Sequence, residues 1–277
     1  MYAKNIWKEI SEEKKSDIFS FNEGYKDFLS KSKTERLAVK EAVRLASEKG
    51  FKPIEEFKTL KPGDKVYFIN KNKNAALYII GQKPICEGLR ILGAHIDSPR
   101  LDLKQNPLYE ANGFALLDTH YYGGVKKYQY VTIPLALHGV VCKTDGTTVD
   151  VNIGEDPSDP VVGISDLLIH LSADQLQKTA AKVIEGEKLD VTVGSIPLDK
   201  EDEKEAVKAN VLKLLEEKYG MTEEDFLSAE IEVVPAGPAR DYGLDRSMVA
   251  GYGHDDRVCA YTSLAAILDA EASEQTS

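Results

Sequence analysis

Apolar residues in the first 50 positions return at helical spacing. Val39, Ala42, Val43 and Ala46 share one face, Thr34 is a candidate N-cap and Gly50 a stop, so this stretch is predicted to be helical. The period changes at Lys65. Lys65 to Asn70 and Ala75 to Ile80 are short β-rich runs around a Lys/Asn turn, the pattern of a hairpin. The segment Gly88-Leu-Arg-Ile-Leu-Gly-Ala-His-Ile-Asp-Ser-Pro99 then opens as a buried strand that breaks at its proline. Its polar residues fall at a strand's C-terminal end, where open α/β sheets collect their ligands.

From about residue 106 to residue 240 the chain turns to short β runs, Tyr130 to Leu137, Gly139 to Cys142 and Val149 to Ile153, punctuated by Gly, Pro and Asp. Within it a charged helix is predicted from Asp202 to Tyr219, with Val207, Val211, Leu214 and Leu215 on one side and Gly220 as its end. A second short helix starts at Thr222, with Asp225 completing a capping box, and a strand follows from Ala229 to Val234. Pro235-Ala-Gly-Pro-Ala marks a boundary. Beyond it, Asp255 or Asp256 is placed to cap a helix with Val258, Tyr261, Leu264, Ala265 and Leu268 on its apolar face. The final Glu271 to Ser277 are polar and suggest neither strand nor cap. The pattern gives three segments: 1–105 and 241–277 of one α/β domain, and an insert at 106–240.

Composition narrows the function classes. With 42% hydrophobic and 29% charged residues the chain has the means to build a core, which excludes global disorder and fibrous repeats. A net charge of −11 argues against broad contact with nucleic acid or an anionic membrane. No window approaches the roughly 18 apolar residues of a membrane span, and the first residues lack a signal-peptide pattern, so the cytoplasm is the expected location. Cys86, Cys142 and Cys259 are too scattered for a disulfide framework or a thiolate zinc site.

Two places could carry chemistry. In a strand, residues two apart face the same side, so His95 and Asp97 converge while Ile96 points into packing. A metal-bound imidazole commonly donates its second ring N–H to a carboxylate or carbonyl. Spacing by itself leaves an ordinary strand-end pair equally open. Asp255-Asp256, in Gly-His-Asp-Asp-Arg, cannot point the same way on a regular element, so at most one is a ligand. Alone, the pair reads as helix-capping acids favoured by the backbone dipole. Together, a distant His and carboxylate set on two loops is what a hydrolytic metal site needs.

Leu92-Gly-Ala-His-Ile-Asp-Ser-Pro-Arg-Leu-Asp-Leu-Lys, then Tyr121-Tyr-Gly-Gly, then Gly253-His-Asp-Asp-Arg-Val-Cys-Ala-Tyr resemble the aspartyl aminopeptidase family of cocatalytic zinc metallopeptidases, which includes the vacuolar aminopeptidases. The resemblance implies an α/β fold: a zinc-peptidase-type mixed sheet flanked by helices, interrupted by a β-rich dimerisation domain at 106–240. It implies two divalent ions, zinc above all, with cobalt or manganese as substitutes, and a homo-oligomer acting on peptides. His95 would be a terminal ligand of one metal, Asp97 the catalytic-site clamp of its imidazole, Asp255 the bridging carboxylate, and Asp256 a residue behind them. His170, in Asp166-Leu-Leu-Ile-His-Leu, would reach a neighbouring protomer's active site, against the plainer alternative of a hydrogen-bonded core histidine.

The chain departs from the family beyond Asp256. An adjacent Glu-Glu pair, whose first member is the family's general base, does not occur there, and no histidine follows His254. The expectation is a C-terminally incomplete metallo-aminopeptidase sequence, inactive by itself, whose parent releases N-terminal residues, acidic ones among them. A non-catalytic oligomerisation module and a related dinuclear deblocking aminopeptidase or deacylase are the alternatives.

Overall fold

A computed structural model describes residues 4–199 and 204–277. The chain divides into two compact units, residues 1–98 with 238–277, and residues 99–237.

In the first unit, α1 (Glu12–Lys31) and α2 (Glu35–Glu48) are joined at Thr34, whose hydroxyl accepts from the Leu37 N–H as an N-cap should. A three-stranded mixed sheet follows, ordered β1 (Lys52–Pro53), β2 (Lys65–Asn70), β3 (Asn74–Ile79). β1 runs parallel to β2, and β2 pairs with β3 as the predicted hairpin, turning through Lys71 and Asn72 at φ 52° and 56°. After the short antiparallel pair β10 (Arg240–Tyr242) and β11 (Met248–Ala250) comes α4 (His254–Asp269). Leu77 and Ile79 of β3 pack with Ala38, Ala46, Leu264 and Ile267 of α2 and α4, so the helices cover one face of the sheet. On α4, Leu264 is buried but Val258 is exposed, so the expected apolar face is interrupted at its N-terminal end.

One expectation fails in this unit. Residues 91–97 form no strand, and Ile91 and Leu92 are 77% and 68% exposed. An apolar run becomes a strand only when a neighbour completes its ladder, and pairing here stops at a single bridge from Leu89 to Thr276. The polar terminal stretch forms no strand beyond that bridge, as its sequence suggests, but backbone bonds still tie it to the rest of the unit. Ser277 exchanges both backbone bonds with Ile79, and Gln82 and Lys83 donate to the carbonyls of Ser273 and Glu274. The Thr276 hydroxyl accepts from the Gly81 N–H in a buried position. Backbone pairing needs no apolar side chain, so hydropathy could not reveal it.

The second unit is a six-stranded antiparallel sheet in the order β7-β6-β9-β4-β5-β8. Its strands are β4 (Arg100–Ala111), β5 (Phe114–Tyr122), β6 (Leu135–Cys142), β7 (Thr148–Ile153), β8 (Val191–Gly194) and β9 (Glu230–Pro235). The unit starts at Pro99, seven residues before the sequence boundary, because β4 begins at Arg100. β4 and β5 turn through Asn112-Gly113, both at positive φ, a type of hairpin turn for which Asn-Gly is suited. β6 joins two of the runs taken separately from sequence, because His138 and Gly139 stay in register with Glu232 and Ile231 of β9.

Helix α3 (Ala206–Tyr219) ends at Gly220 as predicted, and Asp202, its expected start, lies outside the described residues. Val207 and Val211 are buried in the sheet's core, whereas Leu214 is exposed, so the packed stripe is narrower than the sequence pattern. The first-turn amides of α3 are satisfied from outside the helix: one Glu110 carboxylate oxygen accepts from the N–H groups of Val207 and Lys208 at 2.9 and 3.1 Å. The Thr222–Asp225 capping box forms and opens a 3₁₀ helix at Glu223–Ser228.

Candidate metal centre

Within the first unit, His95 and the Asp255-Asp256 pair meet across about 160 residues of sequence. The His95 Nε2 atom lies 3.3 Å from Asp255 Oδ1 and 3.9 Å from Asp256 Oδ2. Its Nδ1 atom is 3.1 Å from the Asp97 carbonyl oxygen and 3.3 Å from Asp97 Oδ1. A carbonyl can only accept, so Nδ1 donates to Asp97, and Nε2 is the ring atom that faces the two aspartates. The backbone of Asp97 is thus nearer the imidazole than its carboxylate. Burial lowers the basicity of His95, but the Asp97 carbonyl and the carboxylates of Asp97, Asp256 and Asp255 outweigh it and hold the imidazole above its ordinary pKa.

Both aspartates reach the imidazole because neither sits on a regular element. Asp255 (φ −95°, ψ 108°) and Asp256 (φ −118°, ψ 34°) depart from helical geometry, and the peptide bond between them is cis. The position of the N-cap falls to Gly253, and no side chain caps this helix. The capping explanation of the acidic pair therefore has no hydrogen bond behind it. Asp255 is 84% exposed at its side chain, while Asp256 is largely covered. A hydrogen bond to Asp256, with burial and the charge of both aspartates, pushes the Cys259 thiol up.

Three residues that spacing did not single out hold this backbone in place. The Ser98 hydroxyl donates to the Asp255 carbonyl at 2.7 Å. Arg257 is fully buried, with its Nη2 donating to the Lys33 carbonyl at 3.2 Å and its guanidinium over the Tyr252 ring. Gly253 sits at φ +88°, and a Cβ there would lie 1.9 Å from Arg257 Nη1. The sequence signal was present in each case, as the residue next to a candidate ligand or the glycine two before one. His254 is occupied elsewhere. Burial, moderated by Arg257, raises the Tyr25 phenol to about 12, so it stays protonated, and it is hydrogen-bonded with His254 Nδ1 at 2.8 Å.

A cleft of about 850 Å³ runs up to His95 and Asp97, walled by Leu77, Ile91, Leu92, Ile96, Leu264 and Ile267. The donor set fits a zinc-type ion in part. Zn–N and Zn–O bonds of about 2.1 Å at a tetrahedral angle put two donors roughly 3.4 Å apart, close to the His95–Asp255 separation. Among the described residues, however, no group of three or more His, Cys, Asp or Glu side chains is arranged to hold a metal.

His170 lies in the second unit, exposed on a 3₁₀ turn at Ile169–Leu171. The alternative of a core histidine is excluded. Its neighbours Leu167, Leu168, Ile169 and Leu171 are exposed with it. His138, by contrast, is buried and paired with Glu155 at 3.1 Å.

A mixed α/β unit that brings a histidine and two acids to one end of a helix, with an inserted β-rich unit, has known counterparts. The family model "Aminopeptidase I zinc metalloprotease (M18)" matches residues 28–277, and the chain belongs to that family. A probable M18 family aminopeptidase 1 of Clostridium acetobutylicum is 54% identical over 99% of this chain and 60% of its own length. A second, from Thermotoga maritima, is 50% identical over 98% of this chain and 58% of its own length. The crystal structure of an M18 family aminopeptidase from Thermotoga maritima superposes with a TM-score of 0.92 at 48% identity, covering 100% of this chain and 60% of that one. The chain therefore spans about 60% of the relatives it matches. No helix among the described residues is long and apolar enough to cross a membrane.

Proposed function

We propose that this chain carries one part of the metal centre of a cytoplasmic zinc aminopeptidase that releases N-terminal residues from peptides. The observation that supports this most directly is the convergence of His95 Nε2 and Asp255 Oδ1 to 3.3 Å from segments far apart in sequence. His95 is a terminal ligand, presented through Nε2 because Nδ1 is committed to Asp97. Asp255, the more exposed acid, would be the carboxylate shared by the metal ions, and Asp256 lies behind it and holds the Cys259 thiol. The ions, zinc with cobalt or manganese as substitutes, would supply Lewis acidity toward the scissile carbonyl and make a water more acidic. Asp97 orients the imidazole so that Nε2 is the atom presented to a metal.

The 277-residue chain is proposed to bind metal weakly and to hydrolyse little by itself, since His95 and Asp255 provide two donors where a closed site requires four. Equilibrium dialysis with zinc should return weak binding that His95→Ala and Asp255→Ala each abolish. Two tightly held ions per unmodified chain would refute the proposed weakness. A chimera carrying the part of the Clostridium acetobutylicum relative that this chain does not cover should cleave peptides with a free N-terminus, and equal cleavage of N-acetylated peptides would rule out an aminopeptidase.

The exposed apolar turn around His170 favours association of the β-rich unit with a second copy, and His170 would then reach the neighbour's substrate. The same surface suits a non-catalytic oligomerisation module. Sedimentation of the chain with and without Leu168→Asp tests the association. A chimera that oligomerises but cleaves nothing would favour the module over the enzyme.

A further inference from the structure

The two segments that form the candidate centre are joined by a short, part-buried, neutral hydrogen bond in addition to their charges. Ser98 is 2% exposed, and its hydroxyl donates to the Asp255 carbonyl at 2.7 Å. Around it the ligand atoms are open to solvent, with His95 and Asp255 side chains 53% and 84% exposed. An exposed ion pair contributes little and holds two side chains loosely. A hydrogen bond of ideal length from a buried hydroxyl to a backbone carbonyl holds a peptide plane more firmly.

Asp255 accepts this bond because its extended backbone turns its carbonyl away from the helical direction. The approach is close. A Cβ on Gly253 would come within 3.3 Å of the Ser98 oxygen, so the glycine leaves room for the serine as well as for Arg257. Ser98 is three residues from His95 and bonded to the residue that carries the facing carboxylate. The bond thus closes a short loop, His95 to Ser98 to Asp255, whose open side is the gap between Nε2 and Oδ1.

We infer that Ser98 is a positioning residue for the metal centre: through the Asp255 carbonyl it sets the spacing between the His95 and Asp255 donor atoms. The inference rests on the metal-binding reading above and adds to it the group that holds the two ligands in register. Partners of this kind typically change metal affinity by roughly 10- to 100-fold when they are removed.

The test compares Ser98→Thr with Ser98→Val, which have the same shape and differ in the hydroxyl, beside Ser98→Ala and the unmodified 277-residue chain. Cobalt(II) is titrated into each, with the visible ligand-field spectrum and the dissociation constant as readouts, and thermal unfolding is followed in metal-free buffer. The threonine variant should keep the cobalt spectrum and affinity. The valine and alanine variants should bind about 10-fold or more weakly with an altered spectrum, a loss larger than any drop in their thermal stability accounts for. The ¹³C shift of the Asp255 carbonyl should move in valine and alanine but not in threonine, with no metal present.

Equal cobalt affinity and spectra for threonine and valine would overturn the inference, and so would an affinity loss that merely tracks lost folding. If the unmodified chain binds no cobalt that His95→Ala removes, the metal-binding reading itself fails. If it binds and the Ser98 variants bind alike, only the positioning role fails.

Discussion

Replacing Gly253 by alanine tests how the backbone before Asp255 is held. The residue sits at φ +88°, and an added methyl carbon would fall 1.9 Å from Arg257 Nη1. Holding a non-glycine residue at such a φ costs about 1–3 kcal/mol. The clash is with the end of a flexible side chain, so the guanidinium can swing aside, but Arg257 is fully buried and donates to the Lys33 carbonyl. A hydrogen bond from a charged group is worth about 1.5–3 kcal/mol net. The two effects together predict a loss of about 3–5 kcal/mol, a large share of the roughly 5–15 kcal/mol that stabilises a domain. Urea unfolding of Gly253→Ala measures it. A double-mutant cycle separates the two parts, because in an Arg257→Met background the methyl group meets no guanidinium and only the backbone strain should remain. The reasoning is refuted if Gly253→Ala costs the same in both backgrounds to within about 0.5 kcal/mol.

Other parts of the structure give equally direct expectations. Glu110→Ala removes the carboxylate that accepts two first-turn amides of α3 and should cost about 1–2 kcal/mol in urea unfolding, with Glu110→Gln intermediate. Leu135→Ala empties a fully buried position in the core of the β-rich unit and should cost about 2–5 kcal/mol. Thr276→Val keeps the side chain's shape but takes the acceptor from the buried Gly81 N–H, for a predicted loss of about 1–3 kcal/mol and faster hydrogen exchange at Gly81. Asp190 is held above the ordinary carboxylate pKa by burial, and by the neighbouring Asp118, despite the hydrogen bond from Tyr109. The folded state therefore binds its proton more tightly, so this contribution to stability is present at low pH and is lost as pH rises through the raised pKa. Asp190→Asn should melt higher than the parent at neutral pH, and the gap should close below about pH 4.

Local chemistry made several elements readable from the chain alone. Thr34 as a cap, the Lys71-Asn72 turn, Gly220 as a stop and the Thr222–Asp225 capping box all act within a few residues, so sequence neighbours determine them. The Asn112-Gly113 hairpin carried the same kind of signal, and its Asn112 falls six residues past the insert boundary at 106. Failures occurred where structure depends on a distant partner. The apolar run at residues 91–97 has the pattern of a strand, yet it remains without a ladder and exposes Ile91 and Leu92. The polar terminal residues have no strand pattern, yet they pair with Ile79, Gln82 and Lys83.

The candidate centre divides in the same way. Its residue types and order, His95-x-Asp97 followed far downstream by Asp255-Asp256, were legible because metal chemistry restricts which side chains can serve as ligands. Which atoms face one another was not. Regular geometry predicts that adjacent aspartates diverge, but the irregular backbone at Asp255 and Asp256 turns both toward His95 Nε2. That backbone is held by Ser98, Arg257 and Gly253, through bonds that span 157 and 224 residues and an approach that tolerates no Cβ. Sequence by itself therefore determined the family and the residues that make up the candidate centre. Tertiary structure decided which ring nitrogen of His95 faces the acids, the convergence of the two acids and the Ser98 bond to Asp255, because each depends on groups that only folding brings within hydrogen-bond reach.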